Sequence, residues 1–446
     1  MVSDSGGGGF TIRVAERLGL GALVRRIAAN AGWMGGEQVL RLVVGLPLTI
    51  WMTRYLGPAS FGDLSFAFAI AGILSALAAL GLDRIAVREL VARPERRDEF
   101  LGTVLALRAG AGLVLYALAL AGIVMLRPHD SWMQRLVAIA SAIIFFRAFD
   151  AIDLMFQADT ENRPPVLART AVFGVMTVAR VVLLLARAPV VAFAWALVGE
   201  SALIAAALVL ALATSGRAWL RWRVSRAAAT TFLRDGWPVA LASAFILVYT
   251  RVDQIMLGQM VGSRELGVYA VAVRMVEATY FIPTVLVASA FPSVLEARAQ
   301  GEEAFEARLD RLYRALALAG YAVAIGITIC AWWIIPLLFG PAYRAAAPAA
   351  AVLAWSVPFT NLGVARGAYL TAMNWMKPYL FTVVLGCAVN IALNLIWIPR
   401  WGAVGASLAS CVSYWVAAHG SCYLYPPLWR TGGMLTRALL RPGIAR

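Results

Sequence analysis

Runs of apolar residues recur along the whole chain, separated by short polar stretches. Each run holds about 20 residues, which at about 1.5 Å per residue crosses a hydrocarbon core about 30 Å thick. Six runs fall in the first half, at 33–55, 62–84, 100–126, 134–157, 165–187 and 190–213. Six more follow at 236–260, 265–294, 313–338, 346–373, 378–398 and 402–425. The fourth and tenth carry polar residues mid-run. The pattern predicts an all-α polytopic membrane protein of about twelve transmembrane helices. The segment 295–312 (LEARAQGEEAFEARLDRL) has charge at helical spacing and reads either as an amphipathic surface helix or as a solvated connector.

Composition supports the membrane reading. Of 446 residues, 61% are hydrophobic and only 14% charged, whereas soluble domains are about half apolar and about a quarter charged. The 15 Trp and 13 Tyr suit helix ends held at headgroup depth. The net charge of +15 is carried almost wholly by arginine and scattered among short loops, which argues for membrane orientation and against nucleic-acid binding.

The arginines also predict the orientation. Arg84, Arg88, Arg93, Arg96 and Arg97 follow the second run, and Arg217, Arg221, Arg223, Arg226 and Arg234 follow the sixth. Arg298, Arg308, Arg311 and Arg314 follow the eighth, and Arg430, Arg437, Arg441 and Arg446 follow the last. The other side offers mostly single arginines such as Arg54, Arg264, Arg344 and Arg400. Basic short loops stay in the cytoplasm, so both termini are expected there, in a bacterial inner membrane. Residues 1–32 read as a cytoplasmic tail rather than a cleavable signal.

The halves share a turn. Leu56-Gly57-Pro58 with Gly62 joins the first two runs, and Val261-Gly262-Ser263 with Gly267 joins the seventh and eighth. An even number of runs separates them, so the repeats are parallel, a transporter plan with binding at the interface of the halves. The expected organisation is a six-helix lobe at 33–213, a basic cytoplasmic linker and hinge at 214–235, a second six-helix lobe at 236–425 and a basic tail at 426–446.

No catalytic pattern is visible: no phosphate-binding Gly loop followed by Lys, no HExxH, no nucleophile elbow. The chain reads as a transporter, not an enzyme. Cys330, Cys387, Cys411 and Cys422 lie in or beside apolar runs without CxxC spacing. His129 and His419 are too few and too far apart for a histidine-ligated metal site. No metal or cofactor is expected.

Ionisable residues inside the runs remain, each costing about 3 kcal/mol or more in hydrocarbon. Glu37 and Arg41 share a helical face; Arg147, Asp150 and Asp153 step by three; Arg251, Asp253 and Gln254 cluster; Arg274 and Glu277 are three apart. Arg180 and Arg366 lack a near-sequence partner, and Arg108, near a membrane end, reads as snorkelling. Together these predict a water-filled cavity between the lobes. The guanidinium fork suits phosphate, so Arg41, Arg147, Arg251, Arg274 and Arg366, with Asp253 and Gln254, are candidate substrate-binding residues. Glu37, Asp150, Asp153, Asp253 and Glu277 are candidates for ion coupling or structural ion pairs.

The stretch Phe61–Leu90 (FGDLSFAFAIAGILSALAALGLDRIAVREL), preceded by Tyr55-Leu56-Gly57-Pro58, resembles the opening signature of the polysaccharide flippase family. That family belongs to the multidrug/oligosaccharidyl-lipid/polysaccharide exporter superfamily. Arg251-Val-Asp253-Gln-Ile-Met-Leu-Gly258, Gly267-Val-Tyr269, Ile282-Pro283 and Phe291-Pro292 resemble its seventh and eighth spans, and Trp401-Gly402-Ala-Val-Gly405-Ala406 its last ones. The resemblance implies two six-helix lobes, alternating access and an undecaprenyl-pyrophosphate-linked glycan as cargo, moved for surface polysaccharide synthesis. It also implies membrane lipids, glycosyltransferases and a polysaccharide polymerase as partners. Arg251 and Asp253 carry over better than Arg41, Arg147 or Arg366, because the cavity of that family varies. A cation-coupled drug exporter of the same superfamily would prefer an acidic cavity. A glycan ligase or polymerase would need a sizeable external loop, which these short loops do not supply.

Overall fold

A computed structural model describes residues 21–215, 222–373 and 375–443. Most of the expected N-terminal tail, the linker positions Arg217 and Arg221, and Arg446 lie outside the described residues.

Among the described residues the chain is helical throughout, with no strand. Its principal helices are α1 (Gly21–Ala78), α2 (Asp83–Ala92), α3 (Arg97–Leu126), α4 (Ser131–Ser141), α5 (Ile143–Arg147), α6 (Ala151–Ala158), α7 (Arg163–Leu185) and α8 (Val190–Thr214). The second half holds α9 (Arg226–Met260), α10 (Ser263–Glu277), α11 (Phe281–Ala297), α12 (Glu302–Phe339), α13 (Ala346–Ala354), α14 (Val357–Ala372), α15 (Met376–Ala418) and α16 (Trp429–Leu440).

Seven described segments are long and apolar enough to cross a membrane unaided. Two of these contain a break at a glycine with positive φ, a conformation side-chain-bearing residues rarely adopt: Gly57 (φ 72°) in α1 and Gly402 (φ 52°) in α15. The chain doubles back at Gly402, since a Cβ on Gly386 would meet Ala417 at 2.6 Å and Asn390 Nδ2 donates to Ser413 Oγ at 3.0 Å. The broken or charge-bearing segments 131–158, 226–260 and 346–372 complete about twelve spans in two lobes.

The structure shows why the fourth and tenth runs carry polar interruptions. The fourth breaks into α4, α5, a 3-10 turn at Ala148–Asp150 and α6, where Arg147, Asp150 and Asp153 interrupt the apolar pattern. The tenth bends by 43° between α13 and α14. Pro358 has no N–H for the carbonyl of Ala354, so the helix stops and restarts there. The segment 295–312 forms no separate surface helix: it ends α11, turns at Gly301 and becomes the first turns of α12.

The start of the seventh span also differs. Helix α9 begins at Arg226, ten residues before the apolar run, with the Ser225 hydroxyl capping Ala228 N. These first turns pack on the first lobe: Phe232 meets Phe100 edge-on at 5.7 Å, and Ser225 N donates to Thr103 Oγ1 at 3.0 Å. The apolar run marks only residues 236–260 of α9, whereas the helix starts earlier, in a polar extension that carries Arg226, Arg234 and Asp235.

The distribution of buried apolar side chains gives the molecule its shape. At the end opposite the basic loops, one core unites both halves, from Phe61 and Phe66 through Leu266 and Tyr269 to Ile335. At the basic end there are two cores. One holds Leu82, Phe100, Phe156 and Phe232, the other Leu309, Tyr313, Leu362 and Leu435. Two legs joined at one end leave a space between them.

The joint is tight. A Cβ on Gly62 would lie 1.7 Å from the carbonyl oxygen of Ser263, and one on Gly267 would lie 1.8 Å from that of Pro58. The second glycine of each repeated turn thus rests on the residue after the first glycine of the other, a reciprocal contact across a pseudo-twofold axis. Close backbone approach at small residues is how helices associate where hydrophobic sequestration gives no drive. Arg127 reinforces the joint by donating to Gln259 Oε1 at 2.8 Å and Gly258 O at 2.5 Å, as does Tyr343 Oη by donating to Thr53 O at 2.9 Å.

Candidate functional site

Between the legs lies a cavity of about 950 Å³. Arg41, Arg147, Arg251, Gln254 and Arg274 all line it, as do Asp150 and Glu277. These residues come from the first, fourth, seventh and eighth spans, far apart in sequence, and meet in one chamber. Glu37 joins it through Arg41, whose Nε lies 2.9 Å from Glu37 Oε1.

On the first-lobe wall every arginine is engaged. Arg41 also reaches Glu200 Oε1 at 3.7 Å and stacks over the Phe173 ring at 5.0 Å from its centroid. Arg180 pairs closely with the other oxygen of Glu200. Arg147 pairs with Asp150 at 3.6 Å. Sequence spacing missed Glu200, which lies 20 residues from Arg180 on the next span.

The second-lobe wall departs most from local spacing. Glu277 is three residues from Arg274, yet its Oε1 lies 2.9 Å from Arg251 Nη2 on the neighbouring helix. Arg274 is exposed to the cavity and is the cavity-lining arginine with no carboxylate within 4 Å among the described residues. Five of the six arginines lining the chamber are paired with a carboxylate, and Arg274 is the one that is not, among the described residues.

Three candidates lie elsewhere. Asp153 does not line the cavity; it accepts from Arg169 at 3.0 Å and Gln157 at 2.9 Å, tying α6 to α7. Asp253 points away from the chamber into the second lobe, only 2% exposed. It accepts from the Tyr269 hydroxyl, from Ser410 Oγ at 3.1 Å and from Gln254 N at 2.7 Å, with no cation within salt-bridge distance among the described residues. A ladder of Asn390, Asn394 and Ser413 lies alongside on α15.

Arg366 is likewise withdrawn, 2% exposed, donating to Thr382 Oγ1 at 2.6 Å, Cys422 Sγ at 3.1 Å and Ser421 Oγ at 3.4 Å. It sits just beyond the C-terminal end of α15, where a cation complements the helix dipole. Its expected place among substrate-binding residues is corrected to a tie between α14, α15 and the turn after it. Arg366→Ala should remove these buried contacts and leave a cavity between the elements they tie, lowering stability by about 2–4 kcal/mol, read as a lower Tm in detergent with anion binding unchanged. Arg108 does not snorkel either: it is 3% exposed and pairs with Asp83 at 2.6 Å.

The sequence model described as polysaccharide biosynthesis protein matches residues 27–298, more than half of the chain. The chain belongs to this family. The MatE family model matches 238–396, within the second half. The probable flippase AglR of Haloferax volcanii is 27% identical over 188 residues, covering 41% of this chain and 38% of AglR. The chain thus matches well under half the length of that relative. Among solved structures, the lipid II flippase MurJ in an inward closed conformation superposes with a TM-score of 0.73 at 15% identity, covering 92% of this chain and 90% of that one. An inward-facing multidrug resistance MATE transporter of the MOP superfamily gives 0.67 at 14% identity, covering 89% and 95%. Family and fold together make this member a multi-pass membrane protein, with a two-lobe architecture around its arginine-lined cavity.

Proposed function

We propose that the chain flips an undecaprenyl-pyrophosphate-linked oligosaccharide from the cytoplasmic to the outer leaflet of a bacterial inner membrane, by alternating access, for surface polysaccharide synthesis. The observation that carries this reading is Arg274, an unpaired guanidinium open to a cavity between two lobes. The basic loops then face the cytoplasm, and the cavity receives the headgroup while the glycine-packed end stays shut. The pyrophosphate meets Arg274 and Arg251, the glycan fills the remaining volume, and the isoprenoid stays in the bilayer. The flippase names of AglR and MurJ support this cargo class.

A drug exporter is the second reading, favoured by the MatE match and the MATE-like fold. The cavity chemistry opposes it, because Asp83, Asp150, Glu200 and Glu277 are each paired with arginine. An organic cation would find no free carboxylate among them. Native mass spectrometry of the purified protein with a polyprenyl-pyrophosphate glycolipid and a cationic dye separates the two. Retention of the glycolipid and loss of the dye is expected; the reverse overturns the reading.

Asp253 is the carboxylate best placed to couple transport to an ion, since it is buried and has no arginine to hold its charge. Asp253→Asn keeps the shape and one acceptor. It should lower transport at least about tenfold, the scale of removing one buried charge, while headgroup binding at Arg274 persists. Transport at the wild-type rate would remove Asp253 from the cycle.

A further inference from the structure

The Arg251–Glu277 pair lies on the cavity wall beside the unpaired Arg274. Its two side chains are 32% and 22% exposed, so both face the space the cargo would occupy. Glu277 Oε1 is 2.9 Å from Arg251 Nη2. Glu277 also follows Arg274 by three residues on α10, a spacing that puts the two side chains on one helical face about 5–6 Å apart at Cβ. The carboxylate thus bonds one guanidinium of the second-lobe wall and shares a helical face with the residue that carries the other.

We propose that Glu277 is an internal stand-in for the cargo's phosphate and sets the selectivity of the site for diphosphate over monophosphate. The proposal rests on the flippase reading above. An incoming anion must take Arg251 from Glu277 and then sit beside the displaced carboxylate. An anion with a single phosphate gains one strong contact at Arg274 and meets repulsion from Glu277. A diphosphate spans both guanidiniums, with one phosphate on Arg274 and the other on Arg251, and its greater charge outweighs the single carboxylate. Built-in repulsion of the weaker competitor is how sites gain selectivity beyond their attractive contacts. Charge-assisted, bidentate bonds to guanidinium supply the attraction.

A purely structural ion pair makes a different prediction, because its removal would change the affinity for both anions alike and leave the preference between them as it was. The pair also lies within one lobe, on α9 and α10, so it does not hold the lobes together. Its opening is therefore free to follow cargo binding rather than lobe motion.

The experiment measures affinities of inorganic pyrophosphate and orthophosphate for the purified full chain by calorimetry, in wild type, E277Q, E277D and R274Q. Wild type should prefer pyrophosphate by about tenfold or more, the scale of one charge–charge contact in a partly desolvated site. E277Q should bind orthophosphate several-fold more tightly and reduce the preference to about threefold or less, since the repulsion is gone. E277D, which keeps the charge, should retain the preference and so excludes a general disturbance of the wall. R274Q should lose both anions. If wild type binds neither, the anion-site reading of the cavity fails. If wild type and E277Q show the same preference, or E277Q binds both anions more weakly, the role given to Glu277 fails and the cavity reading stands.

Discussion

Arg274→Gln should abolish transport while leaving the protein folded and inserted. The residue has no carboxylate partner within salt-bridge distance among the described residues, so its removal strands no buried charge. That distinguishes it from Arg251 or Arg180, whose loss would orphan Glu277 or Glu200 in the cavity wall. What disappears is the headgroup's main charge-assisted contact. Truncating one side of such a contact costs about 2–4 kcal/mol, roughly 30- to 900-fold in affinity. With a scarce lipid-linked cargo, that reduces flux to background. The check is a complementation assay for surface polysaccharide, with membrane-fraction abundance and Tm measured in parallel. Near-normal polysaccharide with Arg274→Gln would separate the unpaired arginine from transport.

The second large effect is expected at the glycine joint. Gly62→Val puts a branched side chain where even a Cβ would lie 1.7 Å from the Ser263 carbonyl oxygen. Carbon and oxygen in van der Waals contact need about 3.2–3.5 Å, so the two turns must separate by more than an ångström. Backbone is on both sides, and no flexible side chain can yield. Such overpacking costs about 1–3 kcal/mol or more, and about 3 kcal/mol spent against one conformation shifts a two-state equilibrium by roughly 150-fold. The variant should therefore rest with this end open. A cysteine placed at Ser65, on the cavity wall, in a background without the four natural cysteines, should then react with a membrane-impermeant thiol reagent added from outside. Gly267→Val should behave alike, because it meets Pro58 O at 1.8 Å in the reciprocal contact. Unchanged labelling in both variants would mean that the joint does not gate access.

The sequence foretold these two features to very different degrees. The glycine turns were visible as a repeat, because a pseudo-twofold axis demands the same small residue in both halves. Their contact with each other was not visible, since it joins positions more than 200 residues apart. Apolar runs gave the span number and misplaced helix starts. Helix α9 continues ten residues past its apolar portion onto the first lobe, and the first turns of α12 are polar.

The charged residues show the limit most clearly. Spacing of three or four reveals partners on one helix, and it identified Glu37 for Arg41 correctly. The same rule suggested Glu277 for Arg274 and placed Asp253 beside Arg251. The fold exchanges them: Glu277 turns to Arg251, Asp253 turns inward to Tyr269 and Ser410, and Arg274 is left over. Arg366 was misread for a related reason. Its partners come from α15 and the turn after it, and nothing near it in sequence announces its burial.

The central claim is that the unpaired cavity arginine belongs to a carrier of an anionic, lipid-linked cargo. The direct measurement reconstitutes the purified protein in liposomes carrying a fluorescent polyprenyl-pyrophosphate sugar, and follows its arrival in the outer leaflet by quenching from outside. Quenching beyond the protein-free rate is expected for wild type and the protein-free rate for Arg274→Gln, with no uptake of a cationic dye by either. Dye movement without glycolipid movement, or equal glycolipid flipping by wild type and Arg274→Gln, would contradict it.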